Sequence, residues 1–173
     1  MMQMSRGTFV GNQVAVLGVY LGCAQAVYDH AVNYLRTTKF GDTGEPLGTS
    51  PMHQQLIGAM TADLSQANLW IRRQLELETL APPPLPKGEV VKQWRIAKGL
   101  ASEAAFRVAV NALKACGTSN TGNSGVIARG LRDLTIGLVQ AFPAERGLLD
   151  AAEIVIKEKA AQDFAVGEGR QQR

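Results

Sequence analysis

Apolar residues recur at steps of three and four along most of the chain, the period of helices with one buried face. The first run covers about Asn12 to Thr38. The second places Leu56, Met60, Leu64, Ala67, Ile71 and Leu75 on one face. Ser50 is the expected N-cap of that helix, Pro51 suits its first turn, and it closes near Thr79. A third helix is expected from about Val90 to Ala115, with Val91, Trp94, Ala97, Ala101, Ala104, Val108 and Ala112 as an alanine-rich inner face. A fourth covers Val126 to Val139, and a last one runs from Ala144, just after Pro143, to about Ala165. No stretch alternates with the period of a strand.

The breaks agree with this division. Phe40 to Ser50 is rich in turn formers, as is Gly117 to Gly125. The run Pro82-Pro83-Pro84-Leu85-Pro86 stops the second helix and reads as a stiff spacer rather than a ligand for a proline-reading module. The expected class is all-α: an antiparallel four-helix bundle with an additional C-terminal helix. Residues 1–11 read as an N-terminal extension, 12–165 as the bundle and 166–173 as a flexible tail. On the first helix Gly18, Gly22 and Ala26 repeat every four residues. Each glycine costs about 1 kcal/mol of helix propensity against alanine, which points to close packing, within the chain or between subunits.

Composition narrows the classes. A chain of 173 residues can bury a real core. Hydrophobic residues are 46% and charged residues 19%, so part of a low-charge surface is expected to be covered by partners. The net charge of +3 is spread thinly, without interleaved aromatics, which argues against nucleic acid. Gly7 to Tyr28 is uncharged and contains Ala24-Gln25-Ala26, a mimic of a signal-cleavage site. Asn12, Gln13 and Gln25 interrupt it, and its pattern continues into Tyr34-Leu35. A buried helix is expected there, with no membrane span. Cys23 and Cys116 are far apart and form no Cys-x-x-Cys, so two reduced thiols and a cytoplasmic location are expected.

Candidate chemistry is sparse. His30 and His53 are the only histidines, and no metal-ligand spacing exists. Ser102 and Ser119 have no recognisable base. The glycines Gly117, Gly122 and Gly125 follow a helix rather than a strand, which does not make a dinucleotide fingerprint.

Two blocks carry more. Tyr34-Leu-Arg-Thr-Thr-Lys-Phe40-Gly41 lies early, and Ala115-Cys-Gly117-Thr118 is followed by Gly130-Leu-Arg132-Asp133. In this order along a helical pattern they resemble the C-terminal helical domain of acyl-CoA dehydrogenases and their flavin-monooxygenase relatives, over roughly Val14 to Leu149. The resemblance implies FAD as cofactor and an acyl-CoA substrate in the complete enzyme. It implies cofactor contacts from Arg36, Phe40, Gln54, Gln55, Gly117 and Thr118. It also implies a homo-oligomer, or a partner subunit carrying the N-terminal helical and middle β-domains. Two departures stand out: the step from Arg36 to Phe40 is one longer than the family's, and Thr118 replaces a glycine.

The family's catalytic glutamate would fall near Ala141 or, in a minority, near Asn12; neither is a carboxylate. No catalytic residue is therefore assigned, and Glu145 and Asp150 are the nearest carboxylates past Pro143. A flavin-dependent monooxygenase component and a non-catalytic helical interaction module stand as alternatives. On local grounds alone Arg36 is a helix-end cation, Gly117 a helix-ending glycine, and Trp70 and Trp94 core or interface anchors.

Overall fold

The computed structural model describes the backbone of residues 2–140 and 143–171, with side chains for 14–140 and 143–157. Five α-helices follow one another: α1 (Met2–Thr37), α2 (Pro51–Thr79), α3 (Lys87–Cys116), α4 (Val126–Val139) and α5 (Ala144–Gln171). One-turn 3-10 segments, Leu47–Thr49 and Thr118–Asn120, precede α2 and follow α3. Helical backbone reaches back to Met2 and forward to Gln171, beyond the expected Asn12 and Ala165. Neither added segment contains a proline to stop a helix already started. Ser50 occupies the N-cap position of α2, but its hydroxyl makes no cap bond; only its carbonyl accepts, from Gln54 N–H at 3.0 Å.

Pairwise contacts fix the topology. Tyr28 meets Thr61, and Gly48 meets Leu35, so α1 and α2 are antiparallel. Arg107 with Asp63, and Lys87 with Glu78, do the same for α2 and α3. Gly137 sits against Ser102 and Tyr20, and Gly130 against Val27, which sets α4 antiparallel to α3 and α1. Helices α1 and α3 touch across the middle, with α2 and α4 on the flanks, and α5 packs on the outside of α3. That places α3 under neighbours on every side. Its small residues Ala97, Ala101, Ala104, Ala105, Ala109 and Ala112 are all buried, and their size lets four helices approach one axis.

The α3–α5 crossing is the tightest. A Cβ on Gly99 would lie 2.4 Å from the Cα of Ala144, and one on Gly147 would lie 2.2 Å from the carbonyl oxygen of Arg95. Asp150 then pairs with Arg95 at 2.8 Å and with Arg146 at 3.3 Å.

Two expected faces shift. On α2, Met60, Leu64 and Ala67 are buried and Leu56 and Ile71 half-buried, but Leu75 is 44% exposed; Gln74 and Leu77 take the inner positions instead. On α1, Gly18, Gly22 and Ala26 face outward, and nothing lies within 4 Å of a Cβ added to either glycine. The stripe therefore does not serve packing within this chain.

Candidate functional site

The up-and-down order brings the C-terminal ends of α1 and α3 together with the N-terminal ends of α2 and α4. At this end the chain leaving α1 folds into a tight hairpin. Leu47 N–H donates to Thr38, Phe40 N–H to Glu45 and Gly44 N–H to Phe40, at 2.9, 2.9 and 3.0 Å. Gly44 takes φ +71, which suits a residue without Cβ. The return strand of the hairpin delivers Gly48 against α1, where an added Cβ would be 3.2 Å from the Leu35 carbonyl oxygen.

Between the hairpin, α1 and α2 lies a groove of about 350 Å³, lined by Val32, Leu35, Arg36, Gly48, His53, Gln54, Ile57 and Gly58. Its lining joins the aliphatic Val32, Leu35 and Ile57 to the polar Arg36, His53 and Gln54. Arg36, in the last turn of α1, makes no ion pair or hydrogen bond with the described residues. Gln54 donates from Nε2 to the Gly48 carbonyl at 3.1 Å, which leaves Oε1 to accept. His53 is 8% exposed; its Nδ1 is sealed from solvent without a partner. Phe40 meets the His53 ring edge-on, with centroids 6.1 Å apart. The start of α2, which carries His53 and Gln54, has no side-chain cap.

The sequence-predicted residues divide here. Arg36 and Gln54 meet in the groove, and Phe40 borders it through His53. Gln55 is exposed and is not among the lining residues. Gly117 ends α3 with φ +71 and donates to the Leu113 carbonyl at 2.9 Å; Thr118 starts the exposed 3-10 turn that follows. This loop is strapped to another side of α1, by His30 with Asn120 and by Tyr34 with Ser119, both at 3.2 Å. Arg132 holds the far part of the same loop through the Asn123 carbonyl at 2.8 Å.

A larger hollow of about 510 Å³ between α1 and α2 is lined by Gln25, Tyr28, Thr61, Leu64, Ser65, Asn68, Leu69 and Arg72. Several of its polar groups are already satisfied internally. Tyr28 bonds Thr61, Asn68 bonds the Leu64 carbonyl, and Gln25 bonds Asp29. The smaller groove joins an unpaired Arg36 to residues singled out by the sequence and is the better candidate. Among the described residues no cluster of His, Cys, Asp or Glu could hold a metal.

The opposite end holds a feature absent from the sequence reading. Lys98 is fully buried, and its Nζ donates to the Gln140 carbonyl at the C-cap of α4, at 2.7 Å. Tyr20 donates to the Gln140 side chain, and Ser102 to the Lys98 carbonyl at 2.8 Å. Burial lowers the Lys98 pKa. Of the two positions considered for a base, Ala141 lies outside the described residues and so does the side chain of Asn12. Asp150 is engaged by two arginines, and Glu145 is exposed in the first turn of α5. Since Ala144 sits on Gly99, Glu145 lies about 27 Å along α3 from Gly117.

The fold has known counterparts. The family described as "Acyl-CoA dehydrogenase, C-terminal domain" matches residues 15–142. The chain belongs to this family. "Putative acyl-CoA dehydrogenase YdbM" of Bacillus subtilis (strain 168) is 26% identical over 120 residues, which cover 69% of this chain and 31% of that protein. The flavoprotein nitroalkane oxidase superposes with a TM-score of 0.75 at 13% identity, covering 84% of this chain and 34% of its own. An FAD complex of PigA gives 0.70 at 15% identity, covering 80% and 34%. These structures share the fold. The acyl-CoA dehydrogenase-family chain described here spans about a third of the length of these proteins.

Proposed function

We infer that the chain is the C-terminal helical domain of an acyl-CoA dehydrogenase-like flavoprotein, forming one wall of an FAD site and part of an oligomer interface, for oxidation of an acyl-CoA thioester. The observation that carries this is the groove in which the unpaired Arg36 and Gln54 meet beside the N-terminus of α2. A cation and a helix N-terminus suit the pyrophosphate of a dinucleotide, and the free Gln54 Oε1 suits a sugar hydroxyl. The close approach of Gly48 to Leu35, which draws the hairpin onto α1, supports the same reading by closing one side of the groove. Arg36 and Gln54 would hold the cofactor, with Phe40 bordering them, and Gly117 and Thr118 would present backbone from the neighbouring loop. FAD supplies the two-electron acceptor when bound.

The outward stripe of Gly18, Gly22 and Ala26, beside the 70%-exposed Val19, supports contact with a second copy or with the missing domains. Two free cysteines, and no described helix able to cross a membrane, support a cytoplasmic protein. The absence of a carboxylate at residues 12 and 141 favours a second reading, a flavin-dependent monooxygenase component.

An assay of the chain assembled with its missing domains, using an acyl-CoA and an artificial electron acceptor, separates the two. Acyl-CoA-dependent dye reduction supports the dehydrogenase. Oxygen uptake without dye reduction supports the monooxygenase. Turnover abolished by Glu145→Gln would overturn the view that this chain supplies no base.

A further inference from the structure

We propose that α5 is a separately opening arm of the bundle, latched shut at the α4–α5 junction by the hydrogen bond from the buried Lys98 to Gln140. Three observations lead there.

The first is what α5 rests on. Each of α1 to α4 packs on at least two other helices, whereas among the described residues α5 packs substantially on α3 alone. The second is how little apolar surface holds it. Its buried residues are Ala144, Gly147, Asp150 and Ala151, while Leu148, Leu149, Val155 and Ile156 are each at least half exposed. Hydrophobic stabilisation scales with the apolar area removed from water, and alanine and glycine offer little of it. A helix docked in this way can detach at a lower free energy than global unfolding requires.

The third is a polar clamp where α5 begins. Lys98 is fully buried, and its Nζ donates to the Gln140 carbonyl at 2.7 Å. Tyr20 on α1 donates to the Gln140 side chain, so two helices hold the C-cap of α4. The next residue of α3, Gly99, seats the first residue of α5: a Cβ there would lie 2.4 Å from the Ala144 Cα. Adjacent residues of α3 thus fix both sides of the junction. Farther along, Asp150 is held by Arg95, whose side chain is 27% exposed. Lys98 is the stronger hold, because a hydrogen bond shielded from water contributes more than an ion pair open to it.

The test is native-state hydrogen exchange on the full 173-residue chain at rising, sub-denaturing urea. In wild type the amides of residues 148–157 should exchange together, with one shared urea dependence. Their opening should be about tenfold or more easier than that of the α3 amides from Ala104 to Ala112. Lys98→Met removes the donor and keeps most of the stem. It should speed exchange in α5 about tenfold relative to α3. Tyr20→Phe, which releases only the Gln140 side chain, should move the same amides in the same direction by less.

Two results would overturn the proposal. Wild-type α5 that frays residue by residue, or exchanges only with global unfolding, is not a separate arm. An α5-to-α3 ratio within about twofold of wild type in Lys98→Met means that Lys98 is not the latch. Should Lys98→Met fail to fold, Tyr20→Phe carries the test: faster exchange in α5 alone supports the latch, and no change or a uniform change contradicts it.

Discussion

Lys98 is a fully buried amine, and it makes a prediction with a definite sign. Burial pulls its pKa below the ordinary 10.5. Between the depressed value and 10.5 the unfolded chain therefore holds a proton that the folded chain has released. Stability must rise with pH across that window. Lys98→Met has no such group, so urea unfolding at rising pH should show wild type gaining on the variant as pH approaches 10.5. A gap that stays constant would mean the ammonium is solvated. Cys116 gives an independent check. Burial raises its thiol to about 11, so in folded protein at pH 8 it should react with a thiol reagent about a hundredfold more slowly than an ordinary cysteine. Both residues, like His53, were partly legible. His53 lies four before Ile57, on the face that continues through Met60 and Leu64, and Lys98 lies four after Trp94. For Lys98 and His53 the helical period points inward, although neither side chain is apolar.

At the scale of elements, helix number, order and most core faces were legible, because turn formers and prolines separate runs with a clear helical period. The rotation of α2 near its end was not. Leu75 and Gln74 are adjacent, and hydrophobicity favours Leu75, yet the burial follows the register of α2 against its neighbours and puts Gln74 inside. The α3–α5 crossing was equally silent, since a glycine's neighbours are long-range in sequence. Gly147 accounts for it physically: a methyl there would strike the Arg95 carbonyl. Gly147→Ala should therefore destabilise by about 1–3 kcal/mol or more, since backbone cannot yield as a side chain can. Hydrogen exchange should place the loss in α5 and the facing turns of α3. Unchanged protection in α5 would mean the crossing is looser than it looks.

For the whole molecule, the residues proposed to meet a cofactor from α1 and α2 gather at one end of the bundle, while the α4–α5 junction and Lys98 lie at the other. A groove open to solvent and walled by one domain buries little of a dinucleotide, so the chain alone should hold FAD weakly. The outward glycine stripe should support self-association. Gly22→Leu meets nothing within its own chain, so it should leave the fold intact and lower the mass seen by light scattering at micromolar concentration. A wild-type chain that is monomeric under those conditions would count against the interface. Of the residues proposed to meet a cofactor, Arg36, Phe40 and Gln54 were singled out by motif and order. Their meeting place was not, because it depends on Gly48 drawing the hairpin onto α1.

The most direct measurement is the flavin content of the chain assembled with the N-terminal helical and middle β-domains that the proposed function requires, read from the visible absorbance per protein for wild type and Arg36→Gln. Near-stoichiometric FAD in the wild-type assembly, falling about tenfold in affinity on loss of the charge-assisted contact, is the expected result. Equal flavin retention by Arg36→Gln, at matched folding, would contradict the assignment of this groove as a wall of the cofactor site.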